Sequence, residues 1–157
     1  MIIPVSLHVE TRERLIIMQL QSVIQKSMRD IPDCVAAGYV EMSTGALLAV
    51  KTLDSHPHEV LELVAVATTE LIQGSTVTAI EKLFRRTRGV KDDGQHYFQE
   101  MIVFSDTLLH VFVRARSNHN HVACFVCRKS VNIGMVLTKT RMAMSHLERA
   151  VLIVPNG

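Results

Sequence analysis

The chain is poor in the motifs that usually announce a chemistry. Its 157 residues contain no GxxxxGK[ST] loop and no GxGxxG turn, so both familiar glycine-rich phosphate cradles are missing. There is no Gly-x-Ser-x-Gly elbow and no Cys–His pairing with a locatable third group, which removes the usual arrangements for nucleophilic catalysis. A surplus of one charge is lacking too: 17 Lys and Arg stand against 15 Asp and Glu, a net +2 with the eight histidines neutral. That balance gives no electrostatic footprint for nucleic acid or an anionic membrane, and a protein partner is the expectation. No uninterrupted apolar run reaches the roughly 20 residues of a membrane span, and Met1 to Val9 lacks the basic start and the length of a secretory signal. Three cysteines, odd in number and without framework spacing, suit a reducing compartment. These features predict a cytoplasmic location, no membrane insertion and no cofactor.

What is present is an order of elements. With 48% hydrophobic and 20% charged residues, the chain is long enough to bury one core and too short for two. The reading is one domain over residues 11–151, with an N-terminal arm over 1–10 and a tail over 152–157. Thr11 caps a first helix in which Ile16, Leu20, Val23, Ile24 and Met28 keep helical spacing, and Ile31-Pro32 stops it. Cys34 to Met42 and Ala46 to Leu53 form a hairpin through Ser43-Thr44-Gly45. Asp54-Ser55-His56-Pro57 opens a second helix that runs to Arg88 and ends at Gly89. Within it, Gly74 either kinks the helix or lets another backbone approach.

Three runs at strand period follow, His96 to Ser105, Leu108 to Arg116 and His121 to Lys129. The short turns between them imply antiparallel neighbours. A last helix opens at Ser130-Val131-Asn132-Ile133-Gly134. On the final strand His121, Ala123, Phe125 and Cys127 alternate with Val122, Cys124 and Val126, so both faces are apolar and the strand is central. On the strand before it, Leu109, Val111, Val113 and Ala115 oppose His110, Phe112, Arg114 and Arg116, a wetter face. A doubly buried antiparallel centre requires helices on both sides. The expected class is α/β: a three-layer α/β/α sandwich around a five-stranded antiparallel sheet.

The second helix carries more apolar surface than one sheet can cover. Val60, Leu61, Leu63, Val64, Ala65, Val66, Ala67, Leu71 and Ile72 leave only a narrow polar strip near Glu59, Glu62, Thr69 and Gln73. Leaving three or four such aliphatics in water forgoes about 1.5–3 kcal/mol each, against a total stability of roughly 5–15 kcal/mol. Either Ile2 to Val9 or other loops fold over this flank, or a second copy of the chain covers it about a twofold axis. An exposed edge strand would offer that copy a second attachment.

The element order, the Ile31-Pro32-Asp33 approach to the first strand, the turn with Gly45, the Ala- and Val-rich second helix and the Asn132-Ile133-Gly134 opening together resemble the roadblock/dynein light-chain family. The likeness spans about Leu15 to Leu147. Where that family usually begins its first strand with Gly-Val, this chain has Asp33-Cys34-Val35. The resemblance implies a roadblock/profilin-like fold and a homodimer joined through the second helix and the third strand. Carried onto this chain, those positions are Val60, Leu63, Val64, Ala67 and Leu71, with Tyr97, Gln99 and Met101. It further implies a non-catalytic adaptor, dynein-associated in eukaryotes and, in bacteria, a regulator of small Ras-like GTPases; the bacterial kind is the expectation here.

Other residues are candidates on their own chemistry. His119, His121, Cys124 and Cys127 have the types of a zinc site, but Cys124 and Cys127 point to opposite faces of a strand and cannot grip one ion. They read as buried thiols and turn histidines. Lys82, Arg85, Arg86, Arg88 and Lys91 gather where they offset the second helix's dipole, and Arg85 and Arg86 are also candidates for meeting an acidic partner. Met135 and Met142 lie outside the stripe Ile133, Val136, Leu137, Met144, Leu147 and Val151 and are candidate partner contacts. The competing class is a small-molecule sensor of the PAS or profilin-like kind. It would need a cavity with convergent polar groups, for which Tyr39, Glu41 and Thr68 are the candidates.

Overall fold

The computed structural model describes residues 5–55 and 57–152. Helix α1 (Val5–Asp30) leads into strands β1 (Cys34–Glu41) and β2 (Ala46–Thr52), followed by α2 (His58–Gln73) and α3 (Ser75–Thr87). Strands β3 (Glu100–Phe104), β4 (Leu108–Arg114) and β5 (His121–Arg128) come next, and α4 (Ile133–Leu152) closes the order. The strands form one antiparallel sheet in the order β2-β1-β5-β4-β3. Alternation along β5 builds two cores. Ala123, Phe125 and Cys127 join Leu109 and Val111 of β4 beneath Leu20 and Ile24 of α1 and Val136 and Leu147 of α4. Val122 and Cys124 join Phe112 beneath Ala65 and Ile72 of α2. The central strand is covered on both sides, and the architecture is the three-layer α/β/α sandwich that the alternation predicts.

Local chemistry sets the ends. Gly45 takes φ +72° in the β1–β2 turn, and the Glu41 carboxylate accepts the Ser43 and Thr44 amides at 3.1 and 3.0 Å. Although partial burial raises its pKa, hydrogen bonds from Ser43 and Thr44 outweigh that effect and hold it below the usual carboxylate range. Asn132 caps α4 by accepting the Met135 amide at 3.0 Å.

Three expectations are corrected. Helix α1 begins at Val5, not at Thr11: no glycine or proline interrupts Val5 to Glu10, so those residues extend the helix instead of forming a separate arm. Residues 1–4 of that arm and 153–157 of the tail lie outside the described residues, while Leu152 still belongs to α4. Strand β3 starts at Glu100, not His96, because the Glu81 carboxylate of α3 takes the Tyr97 amide and the His96 ring and draws that segment off the ladder. The single helix expected from Pro57 to Arg88 is two helices. Gly74 is extended, at φ −59° and ψ 168°; its amide ends α2 on the Glu70 carbonyl and its carbonyl starts α3 by accepting the Thr78 amide.

A Cβ built on Gly74 would stand 2.5 Å from the Glu70 carbonyl oxygen, a contact that must be relieved by moving backbone. Gly74→Ala is therefore expected to cost about 1–3 kcal/mol in urea-induced unfolding. A variant as stable as the parent would show that the break does not depend on glycine.

Candidate functional site

Helix α2 meets the sheet through Ala65, Thr68 and Ile72, spaced to fall on one helical face. Thr68 satisfies its own hydroxyl by donating to the Val64 carbonyl at 2.8 Å. Much of the rest of the helix stands in the open, with Leu61, Thr69 and Gln73 half-buried. Val60, Leu63, Val64, Val66 and Leu71 are exposed, Leu63 by 68%, and Ala67 lies among them. Ile80, Leu83 and Phe84 continue the exposed apolar surface along α3. Beneath α2 a cleft of about 650 Å³ opens over Gly38, Val40, Phe112 and Val126. The edge strand β3 adds Ile102 and Phe104, and its outer side has no neighbouring strand among the described residues.

By length and composition alone, Glu59–Thr87 would pass for a membrane span. The break at Gly74 argues otherwise. Helix α2 has 16 residues, about 24 Å at 1.5 Å per residue, short of the roughly 30 Å of a bilayer core.

A buried guanidinium fixes where this surface sits. Arg114, at the end of β4, is 2% exposed. Its Nε donates to the Phe98 carbonyl at 3.0 Å, Nη1 to Gln73 Oε1 at 3.0 Å and to the His119 carbonyl at 2.6 Å, and Nη2 to the Ile72 carbonyl at 3.5 Å. The end of α2, where the helix leaves carbonyls unpaired, is thereby tied to the sheet and to the approach to β3. Burial lowers the Arg114 pKa to about 10, opposed by the charge of Glu81. The wetter face expected at Arg114 is therefore dry at that position, because this one side chain meets four internal acceptors. An arginine in phase with the inward Phe112 was the signal available in the sequence.

No protein-family model and no curated protein matches the sequence. Solved structures do. The gliding protein MglB from Thermus thermophilus has a TM-score of 0.67 at 18% identity, over 87% of this chain and 91% of its own. MglB in a tetrameric arrangement gives 0.68 at 17% identity, over 89% and 93%. A roadblock/LC7 domain from Streptomyces avermitilis gives 0.58 at 11% identity, over 84% and 97%. This chain has the roadblock fold.

On that roadblock fold the candidate residues divide. The five helix positions Val60, Leu63, Val64, Ala67 and Leu71 share the exposed flank of α2. Met101 lies on β3 and packs half-buried into the second core. Tyr97 and Gln99 precede the strand instead of lying on it. The Tyr97 ring packs against Phe84 and Phe98 and beneath the Arg88 guanidinium, 5.6 Å from the ring centre, while Gln99 Nε2 donates to the His96 carbonyl. Arg85 is not a free surface cation: it is 8% exposed and pairs with Asp92 at 3.2 Å and Asp93 at 3.7 Å. Arg86 is exposed. Met135 and Met142 are exposed on α4, across the sheet from α2, so the fold does not bring them to the stripe.

The sensor candidates do not converge within the roadblock fold. Tyr39 lies in the core under α1 and α4, its hydroxyl 2.9 Å from His121 Nδ1, with Asn118 Nδ2 3.3 Å from His121 Nε2. Burial and the Glu148 charge raise the Tyr39 pKa. Glu41 anchors the hairpin and Thr68 bonds within its helix. Cys124 and Cys127 fall in different cores, as their spacing requires, and no group of three metal-binding side chains assembles among the described residues.

Replacing Arg114 by Leu strands those carbonyls. A loss of about 2–4 kcal/mol in urea unfolding is expected, whereas a loss within about 0.5 kcal/mol of zero, the scatter of a surface change, would remove Arg114 from its anchoring role. The histidines supply a pH test. Burial holds the pKa of His110 and of His121 below the usual 6.5, so the unfolded chain takes up protons that the fold refuses. Their contribution to stability is full above about pH 6.5 and falls as pH drops below it; His110→Gln with His121→Asn should flatten that decline in denaturation midpoints.

Proposed function

We propose that two copies of this chain associate through the exposed flank of α2 and the free edge of β3, forming a non-catalytic platform that binds a small Ras-like GTPase or a motor assembly. The platform modulates the partner's nucleotide cycle or its localisation in the cytoplasm. The observation that carries this reading is the uncovered stripe Val60, Leu63, Val64, Ala67 and Leu71, too apolar to be left in water. The roadblock fold supports it, and one MglB structure of that fold is itself a tetrameric arrangement. The GTPase partner rests on the family resemblance drawn from the sequence. A regulator of this kind needs no active site, since repositioning the partner's own groups can stabilise phosphoryl transfer. Arg86, Met135 and Met142 remain exposed for contacts with that partner.

Sedimentation velocity at micromolar concentration should give a species of twice the 17.6 kDa chain mass. Leu63→Glu with Val64→Glu should return it to one chain with an unchanged circular dichroism spectrum. A wild-type protein sedimenting as a single chain would overturn the platform. Partner binding is read separately, as a changed GTP hydrolysis rate or co-elution when a small GTPase encoded beside it is added.

A further inference from the structure

The thiols form a pair that spacing along the chain conceals. Cys34 opens β1, Cys127 lies near the end of β5, and the two oppose each other across the β1–β5 ladder. Both belong to the core under α1 and α4. The Arg128 amide donates to the Asp33 carbonyl at 3.1 Å, and the register shifts between Cys34 and Ala36, so the Cys34–Cys127 pair sits between that hydrogen bond and a bulge. Directly opposed residues of an antiparallel pair have Cα atoms about 4.5–5.5 Å apart, within the about 4.4–6.8 Å that a disulfide accepts. The Cys34 thiol itself donates to the Ala36 carbonyl at 3.3 Å.

We infer that Cys34 and Cys127 are a reversible dithiol–disulfide pair, oxidised by hydrogen peroxide, with Cys34 as the attacking sulfur and Cys127 as the resolving one. The roles follow from position: Cys127 is fully buried, whereas Cys34 is not. The neighbouring Cys127 thiol lowers the Cys34 pKa, against the opposing effect of burial, while Cys34 and burial together raise that of Cys127. Cys34 also follows directly on the α1–β1 turn and keeps 7% of its surface open, enough to meet a small oxidant during a local opening of the strand end. The Cys34 thiolate attacks one peroxide oxygen; an S–O bond forms, the O–O bond breaks, and hydroxide leaves to collect the proton that Cys34 had released. The Cys127 sulfur then attacks the sulfenic acid at Cys34. The S–S bond forms as the S–O bond breaks, and the departing hydroxide takes the Cys127 proton to become water. The two thiols together lose two electrons and one peroxide is reduced to two waters.

Cys124 is excluded. It pairs with Gly38 across the same ladder, lies in the other core, and burial pushes its thiol up to about 12.

The test uses the whole chain, reduced, exposed to hydrogen peroxide, then denatured, alkylated and peptide-mapped. One of the three thiols should remain, Cys34 should be found linked to Cys127 within one chain, and dithiothreitol should restore all three. Cys124→Ala should leave the link intact, and Cys34→Ala should spare Cys127. Three free thiols after peroxide, a link that includes Cys124, or Cys34 carried to the sulfinic acid without a link would each overturn the pair. The wild-type peptide map decides the matter even where a variant fails to fold.

Discussion

A strand whose two faces are both apolar must be covered twice, and β5 imposes that constraint on everything around it. Its inward residues on one side demand α1 and α4; those on the other demand a helix that can lie across Val122, Cys124 and Phe112. Antiparallel sheets ordinarily leave one face to water, so the double cover is what separates this fold from an open-faced sheet. It also puts α2 where its excess apolar surface becomes a problem, because the sheet takes up only Ala65, Thr68 and Ile72. What the sheet does not take up is what a partner can use.

Polar chemistry sets the placement of that surface. Gly74 ends α2 and begins α3, and of the carbonyls at that helix end the Ile72 one falls to Arg114, which also holds Phe98 and the His119 turn. Glu81 answers from α3 with the His96 ring and the Tyr97 amide. A buried guanidinium is costly to desolvate, and here that cost is offset by hydrogen bonds that join a helix end, a turn and the approach to an edge strand at one point. The end of the apolar helix and the free strand edge are thus fixed relative to each other, as a docking surface requires.

Among the described residues no group of three metal-binding side chains assembles. Chemistry-bearing side chains are engaged in structure: Glu41 in a turn, Tyr39 and His121 with each other, Arg85 with Asp92 and Asp93. Function on a common fold resides in the sites the fold carries, and the two proposed sites are an apolar flank and a thiol pair. The two are independent, since the thiols lie on the opposite side of the sheet from α2.

Periodicity made most of the fold legible. Alternation on β4 and β5 assigned residues to the correct cores, and the crowding of aliphatics between Val60 and Ile72 marked α2 as underfilled before any contact was known. Two features were out of reach, the split at Gly74 and the meeting of Cys34 with Cys127, while the burial of Arg114 was signalled only by its phase with Phe112. A glycine inside an apolar helix is compatible with a kink or a break, and only the neighbouring Glu70 carbonyl decides between them. The alternation of side chains is a local property of the backbone, so the sequence by itself determined the layers and the apolar excess. Which polar groups meet, and which two thiols touch, depends on the register between strands and helices far apart in the chain, and that register exists only in the tertiary structure.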